Sequence, residues 1–142
     1  MTDRFLFDPA SNALDRLDYR PSEYLIDQTD LHFNLDETET RVKSKLSISR
    51  NPKASEGGPL ILDGEDLKLV SVKVNGKDLD RADFDVTDKK LVIKRPPEDD
   101  FTVEIENEIN PKENTMLSGL YIPEGEDIFC TQCEAQGFRR IT

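Results

Sequence analysis

The sequence predicts an all-β protein, an antiparallel β-sandwich with little or no helix. Short runs rich in β-branched and aromatic residues recur at roughly even spacing, with Gly, Pro, Asn and Asp between them. No stretch has the apolar spacing of a convincing helix of about ten residues. A chain of 142 residues fits a single core. We therefore expect one sandwich domain over residues 22–142, preceded by an N-terminal arm at residues 1–21 that has no clean periodicity.

The first element predicted after the arm is a long β-hairpin. The run YLIDQTDLHFNLD starts at Tyr24 and is rich in β-forming residues, and residues 36–39 supply a turn. In the following run, TRVKSKLSISRN, the apolar residues Val42, Leu46 and Ile48 share one parity. The stretch NPKASEGGP is then a loop by composition.

Shorter strands are predicted in the middle of the chain. The run LILDGEDLKLVSVKVNGKDL indicates two or three strands broken at Asp63-Gly64 and Asn75-Gly76. Both residues of Asn75-Gly76 tolerate positive φ, which favours a type I′ hairpin turn there. The run DFDVTDKKLVIKRPP predicts a further strand pair, with its turn at residues 88–90 and its end at Pro96-Pro97.

The clearest single strand is FTVEIENEI. Its apolar and polar residues alternate, with Phe101, Val103, Ile105 and Ile109 on one face and Thr102, Glu104, Glu106 and Glu108 on the other. We interpret the glutamates as a solvated face instead of a cation site, because evenly spaced carboxylates along a strand repel one another.

The charge of the chain argues against several classes of partner. Thirty Asp and Glu against nineteen Lys and Arg give a net charge of −11, which repels nucleic acid and anionic membranes. The sequence has neither a signal-peptide pattern nor a long apolar run, and its two cysteines do not form a disulfide framework. We expect a cytoplasmic protein.

The last part, MLSGLYIPEGEDIFCTQCEA, predicts a strand, a turn and a final strand that continues through the cysteines. Cys130 and Cys133 form a C-x-x-C pattern, typical of redox or zinc sites. In a strand, however, residues three apart lie roughly 10 Å apart on opposite faces, beyond disulfide reach. A structural zinc site needs four ligands, and His32 is the one histidine. We interpret both thiols as packing or incidental, keep a redox protein as a minor alternative, and give His32 no role.

Gln132 and Glu134 are the candidate binding residues. Two apart on the predicted final strand, they would share one face, and an amide with a carboxylate suits a cationic amine. The alternative is that the two residues are an ordinary exposed pair on the surface with no binding role. The sequence contains no G-x-x-x-x-G-K-[ST], G-x-S-x-G or H-E-x-x-H string, so we expect no catalytic residue and no metal ligand in this chain.

The run CTQCEAQGFRRIT, with LDGEDLKLVSVKVNGKDL and INPKENTMLSGLY upstream, resembles the N-terminal domain of bacterial zinc metallopeptidases of the aminopeptidase N type. The resemblance extends from about Tyr19 to Thr142. It implies a saddle-shaped β-sandwich that caps a thermolysin-like catalytic domain. It also implies that Glu134 binds the free α-amino group of a peptide and that Gln132 lines the pocket for the first residue.

The resemblance further implies that the chain is a fragment. The family's H-E-x-x-H zinc helix, general base and oxyanion-stabilising tyrosine are missing, so Zn²⁺ would belong to the longer parent and this chain alone would hydrolyse nothing. The implied partners are peptide N-termini, as substrates of the parent, and the missing catalytic domain, through an intramolecular contact. The alternative is a stand-alone acidic β-sandwich that binds a partner without catalysis.

Overall fold

The structure is a computed structural model that describes residues 16–54 and 57–142. Most of the predicted N-terminal arm, residues 1–15, lies outside the described residues. The remainder of the arm contains one turn of 3₁₀ helix, Arg16–Asp18. Among the described residues, no helix is long and apolar enough to cross a membrane.

The described residues form three antiparallel sheets and no helix of seven or more residues. A five-stranded sheet has the order β1-β2-β8-β4-β5, a three-stranded sheet has the order β3-β7-β6, and β9 pairs with β10. The strands are β1 (Tyr24–Asn34), β2 (Thr40–Arg50), β3 (Leu60–Asp63), β4 (Lys68–Val74), β5 (Lys77–Asp78), β6 (Phe84–Val86), β7 (Lys90–Ile93), β8 (Phe101–Ile109), β9 (Gly119–Tyr121) and β10 (Cys130–Gln132). The predicted all-β sandwich is confirmed.

The long hairpin of β1 and β2 is also confirmed, and its turn is held by Asp36. The backbone N–H groups of Thr38 and Glu39 each donate to the Asp36 carboxylate over 3.0 Å. The hydrogen bond from Thr38, followed by that from Glu39, holds the pKa of Asp36 below its usual value of 3.8. Charge-assisted hydrogen bonds of this kind define the turn locally and fix where the pairing of β1 with β2 begins.

A β-bulge in β1, where the register shifts between Ile26 and Gln28, was not predicted. Before the bulge, Ile26 lies opposite a buried residue of β2. After it, Leu31 and Phe33 lie opposite buried residues of β2. Because directly opposed residues share a face, the inward positions of β1 change from even to odd numbers at the bulge. The apolar residues follow this change.

Strand β8 has the predicted alternation, and its glutamate row is paired across the sheet. Glu104, Glu106 and Glu108 lie opposite basic residues of β2, in register. Glu108, the least exposed of the three, lies 2.8 Å from Arg41 Nη2 and 3.1 Å from Lys68 Nζ. The three glutamates are therefore partly exposed, and their negative charge is balanced by basic side chains of the neighbouring strands. The predicted solvated face is thus also an ion-paired face.

The predicted hairpin turn between β4 and β5 is confirmed. Asn75 and Gly76 both have positive φ, 49° and 76°, as a type I′ turn requires. The Asn75 side chain also accepts a hydrogen bond from the backbone N–H of Thr102 over 3.0 Å. The turn thus fixes the edge of the five-stranded sheet against the start of β8.

The apolar core is divided into two clusters. The main cluster lies between the five-stranded and three-stranded sheets, and its buried members are Tyr24, Leu46, Ile48, Leu60, Val72, Phe84, Leu91, Ile93, Phe101, Val103 and Ile105. The second cluster lies at the far end of β2 and β8 and consists of Val42, Ile109, Leu120 and Ile141. Burial of each such side chain stabilises the fold by about 1.5–3 kcal/mol. The second cluster attaches the segment that contains the predicted binding residues.

Candidate functional site

The candidate binding residues lie on a small unit that we call the C-terminal ribbon, residues 119–121 and 130–142. In it, β10 pairs with β9 so that Gln132 lies opposite Gly119. Strand β10 ends at Gln132, and residues 134–136 form a turn that leads into a 3₁₀ turn, Gly137–Arg140. The Glu134–Ala135 peptide bond is cis.

The prediction of one strand continuing through Glu134 is wrong. The Gly137 N–H donates to the carbonyl oxygen of Cys133 over 2.9 Å and closes the turn directly after Gln132. Gln132 and Glu134 therefore do not share a strand face. They stand instead at the end of a strand and in the adjoining turn.

Two glycines allow this turn to pack closely. An ideal Cβ on Gly137 would overlap the carbonyl oxygen of Gln132 and lie 2.9 Å from Ser118 Oγ. Gly119 has φ of +81°, and a Cβ there would lie 2.7 Å from the Cβ of Arg140. The backbone of the turn thus contacts the backbone of the strand that ends in Gln132, which is possible only without side chains at these positions.

The ribbon is attached to the sandwich by apolar and polar contacts. Ile141 is buried in the second cluster, next to Leu120 of β9. Beside it, the Thr142 hydroxyl donates to Ser44 Oγ over 3.0 Å, and Asn107 Nδ2 donates to Thr142 Oγ1 over 3.4 Å. Because Ser44 and Asn107 are buried, this network satisfies polar groups that would otherwise be costly.

Ion pairs and a backbone hydrogen bond hold the 3₁₀ turn to the loop after β3. The backbone N–H of Glu65 donates to the carbonyl oxygen of Arg139 over 2.8 Å. The Arg140 guanidinium lies 3.1 Å from Glu65 Oε2 and also pairs with Asp66, and Arg139 lies 3.4 Å from Asp63 Oδ2. The loop at the predicted break Asp63-Gly64 therefore fixes the ribbon in place.

Gln132 and Glu134 themselves are exposed. Within residues 16–54 and 57–142, neither side chain makes a hydrogen bond or an ion pair. An exposed carboxylate and amide on a firmly held turn can accept hydrogen bonds from a ligand without first breaking internal contacts.

The other residues considered from the sequence are not brought together. Both cysteine thiols are free, with Cys130 half-buried and Cys133 exposed. His32 lies on the outer face of β1, opposite Lys43. In the part of the chain that the structure describes, no three His, Cys, Asp or Glu side chains are grouped so that they could hold a metal ion.

A cavity of about 340 Å³ opens beside the ribbon, between the two larger sheets. The turn after Glu134 borders it through Ala135, Gln136 and Phe138, and Ser44 and Asn107 line its inner side. These two polar residues were missed from the sequence. The sequence does contain a sign of them: each is a polar residue at an inward-facing position of its strand, where an apolar residue is expected.

No family model matches the chain. The chain is 45% identical to Aminopeptidase N of Caulobacter vibrioides over 130 residues, which are 92% of this chain and 14% of that protein. It is 46% identical to Aminopeptidase N of Escherichia coli over 127 residues, 89% of this chain and 14% of that protein. The chain thus spans about one seventh of the length of these relatives.

The chain is also similar to solved structures of aminopeptidases and metallopeptidases. A crystal structure of Legionella pneumophila aminopeptidase A in complex with aspartic acid is 32% identical, with a TM-score of 0.79, and the similarity covers 87% of this chain and 14% of that one. An M1 zinc metallopeptidase mutant from Deinococcus radiodurans bound to a Tyr-Ser-Ala substrate has a TM-score of 0.50 at 17% identity, covering 75% of this chain and 23% of that one. At this identity, the second similarity concerns the fold alone.

Proposed function

Because this chain is homologous to the N-terminal domain of the M1 aminopeptidases of the aminopeptidase N type, we propose that it belongs to a longer zinc-dependent aminopeptidase that removes residues from peptide N-termini. The observation that carries the proposal is 45% identity over 92% of the chain. The role of this domain is to cover the catalytic domain and to anchor the substrate's α-amino group.

Glu134 is the proposed amine anchor. Its carboxylate would accept charge-assisted hydrogen bonds from the α-ammonium group of a peptide, and such bonds are worth roughly 1.5–3 kcal/mol. Gln132, two residues earlier at the end of β10, would supply a neutral acceptor and line the pocket for the first residue. Their exposure and lack of internal partners among the described residues support this assignment.

An anchor of this kind would explain exopeptidase specificity. A free N-terminus offers a positive charge to Glu134, whereas an internal peptide bond leaves the carboxylate without a partner. Covering the carboxylate by the rest of the protein would lower the local dielectric and strengthen the discrimination. Fixing the amine also sets the distance between the N-terminus and the bond to be cleaved.

A zinc ion would polarise the scissile carbonyl group and activate water in the longer protein. The sequence contains no H-E-x-x-H string, and the contribution proposed for this chain is to bind and orient the amine. We therefore expect the 142 residues alone to hydrolyse no peptide. The domain limits 22–142, the cytoplasmic location and the absence of nucleic-acid and membrane partners stay predictions.

The test uses the full-length protein and substrates with a free or an acetylated α-amine. Glu134→Ala should lower kcat/KM for the free-amine substrate by on the order of 10²-fold or more, because both a charged hydrogen bond and the orientation of the substrate are lost. Glu126→Ala, which removes another exposed carboxylate from the same part of the chain, serves as the control and should leave kcat/KM unchanged. If Glu134→Ala and Glu126→Ala have the same kinetics as the unmodified protein, the anchor assignment is wrong.

A further inference from the structure

Strand β1 has an apolar inner face that the described residues leave half open. We call Ile26, Leu31 and Phe33 the β1 strip; their exposed fractions are 49%, 37% and 37%. Two residues directly opposite them on β2, Ile48 and Val42, are 1% and 0% exposed. Neighbouring positions on one face of one sheet therefore differ sharply in how well they are covered.

The sizes of the two sheets explain the difference. Strands β1 and β2 have 11 residues each, whereas the strands of the facing sheet have three or four. The smaller sheet shares the main cluster with one half of β2 and β8, and the C-terminal ribbon shares the second cluster with the opposite ends of these strands, at Val42 and Ile109. Within the described part of the chain, β1 pairs with β2 alone.

The cavity next to the ribbon continues this open surface. Ile26 belongs to the β1 strip and also lines the cavity, together with Leu69 of the same sheet and with Leu62 and Val86 of the facing sheet. Val86 is 40% exposed. The strip and the cavity thus form one apolar surface that runs from the edge of the five-stranded sheet into the space between the sheets.

The inner face of β1 is mostly apolar on both sides of the bulge, with Thr29, opposite Leu46, as a polar member. On the outer face of the strand after the bulge stand Gln28, Asp30, His32 and Asn34, all polar. The bulge changes the parity, and the apolar residues change parity with it, so that they remain on the inner face. A strand with both faces in water would not need this arrangement, which is typical of a strand with one buried face.

We propose that in the full-length protein the β1 strip and the adjoining cavity are covered by an extended apolar segment of the same polypeptide, from outside these 142 residues. The relatives are about seven times longer than the chain, so the polypeptide has ample length to supply such a segment. An added strand that widens the three-stranded sheet over β1 would place alternate side chains in the cavity. The inference rests on the chain being part of a longer protein and does not depend on the role of Glu134.

The test compares thiol accessibility on the two faces of β1 in the full-length protein. Leu31→Cys and Phe33→Cys report on the strip, and His32→Cys and Asn34→Cys are matched controls on the outer face of the same strand. Each variant is treated with a water-soluble maleimide under native conditions, and modification is read from the mass of the peptide containing residues 31–34. The strip variants should react at least about tenfold more slowly than the controls, and equally fast in urea. Equal native rates would overturn the proposal.

Further arms identify the occupant. Protection that disappears on dilution to a monomer would assign the surface to a second copy, and protection that disappears on deletion of residues 1–15 would assign it to that segment; either result overturns the proposal. Protection that survives both changes supports it. The pair Ile26→Cys and Gln28→Cys repeats the comparison beside the cavity if a substitution at Leu31 or Phe33 prevents folding. Because labelling does not report on amine binding, a failure here is distinct from a failure of the Glu134 assignment.

Discussion

Replacing Gly137 by alanine should displace the end of β10 and destabilise the C-terminal ribbon. An added Cβ would lie 3.1 Å from the carbonyl carbon of Gln132 and 2.9 Å from Ser118 Oγ, and it would overlap the Gln132 carbonyl oxygen. The carbonyl carbon and oxygen of Gln132 belong to the backbone of a paired strand, so they cannot move aside by rotation of a side chain.

The size of the effect follows from these distances. Ordinary contacts of a Cβ begin at 3.4 Å, so the Ser118 contact alone needs a shift of about half an ångström, and the overlap with the Gln132 carbonyl needs more. Overpacking of this kind typically costs about 1–3 kcal/mol. Since a misplacement of about 1 Å can lower catalytic efficiency by roughly 10²-fold, we expect kcat/KM of the full-length protein to fall by about tenfold or more.

The assay is urea denaturation of the 142-residue chain, followed by kinetics of the full-length protein. The control is Gly57→Ala. Its Cβ meets Arg50 Nη1, the far end of a flexible side chain that can move away, so its stability should stay within about 0.5 kcal/mol of the unmodified chain. If Gly137→Ala is as stable as Gly57→Ala and keeps its kcat/KM, the close packing inferred for the ribbon is incorrect.

Three further predictions concern the sandwich. The carboxylate of Asp36 accepts hydrogen bonds from two backbone N–H groups, so its titration followed by NMR should have a midpoint below 3.8. The depressed pKa stabilises the fold above a pH of about 4, and this contribution is lost as the pH falls through the folded-state pKa. Gly76→Ala should lower the free energy of unfolding by about 1–2 kcal/mol, because φ is +76° and no neighbouring atom lies within 4 Å, so the cost is conformational; unchanged stability would contradict the type I′ turn. A double-mutant cycle of Arg41→Ala and Glu108→Ala should give a coupling of about 0.2–1 kcal/mol that weakens as salt is raised, and the absence of coupling at low salt would show that this ion pair contributes nothing.

Much of the sandwich could be predicted because its signals are local. The alternation in β8 and the Asn75-Gly76 turn depend on neighbouring residues and were identified correctly. The bulge in β1 could not be predicted in the same way, since it is defined by its pairing with β2. In the sequence the bulge appears only as a change of the apolar positions from even numbers, at Ile26, to odd numbers, at Leu31. This change cannot be interpreted until the register with β2 is known.

The shape of the segment that carries the candidate binding residues could not be predicted from the sequence. The binding roles of Gln132 and Glu134 stay predictions. The turn that contains Glu134 depends on how closely Gly137 approaches the strand end, a contact that no periodicity reports. The network of Ser44 and Thr142 joins residues almost a hundred positions apart, so only the fold brings them together. Such long-range contacts are set by tertiary packing, which single-sequence patterns do not encode.

The unequal division of the core has a consequence for how this chain loses its structure. Four buried apolar residues hold the C-terminal ribbon, whereas eleven form the main core. Elements with few buried contacts open as separate cooperative units, at a lower free energy than global unfolding. We therefore expect the ribbon to exchange its amide hydrogens before the sandwich does. On heating, we expect Glu134 to lose its position before the supporting strands unfold, because Leu120 and Ile141 are the two buried apolar side chains that the ribbon itself contributes.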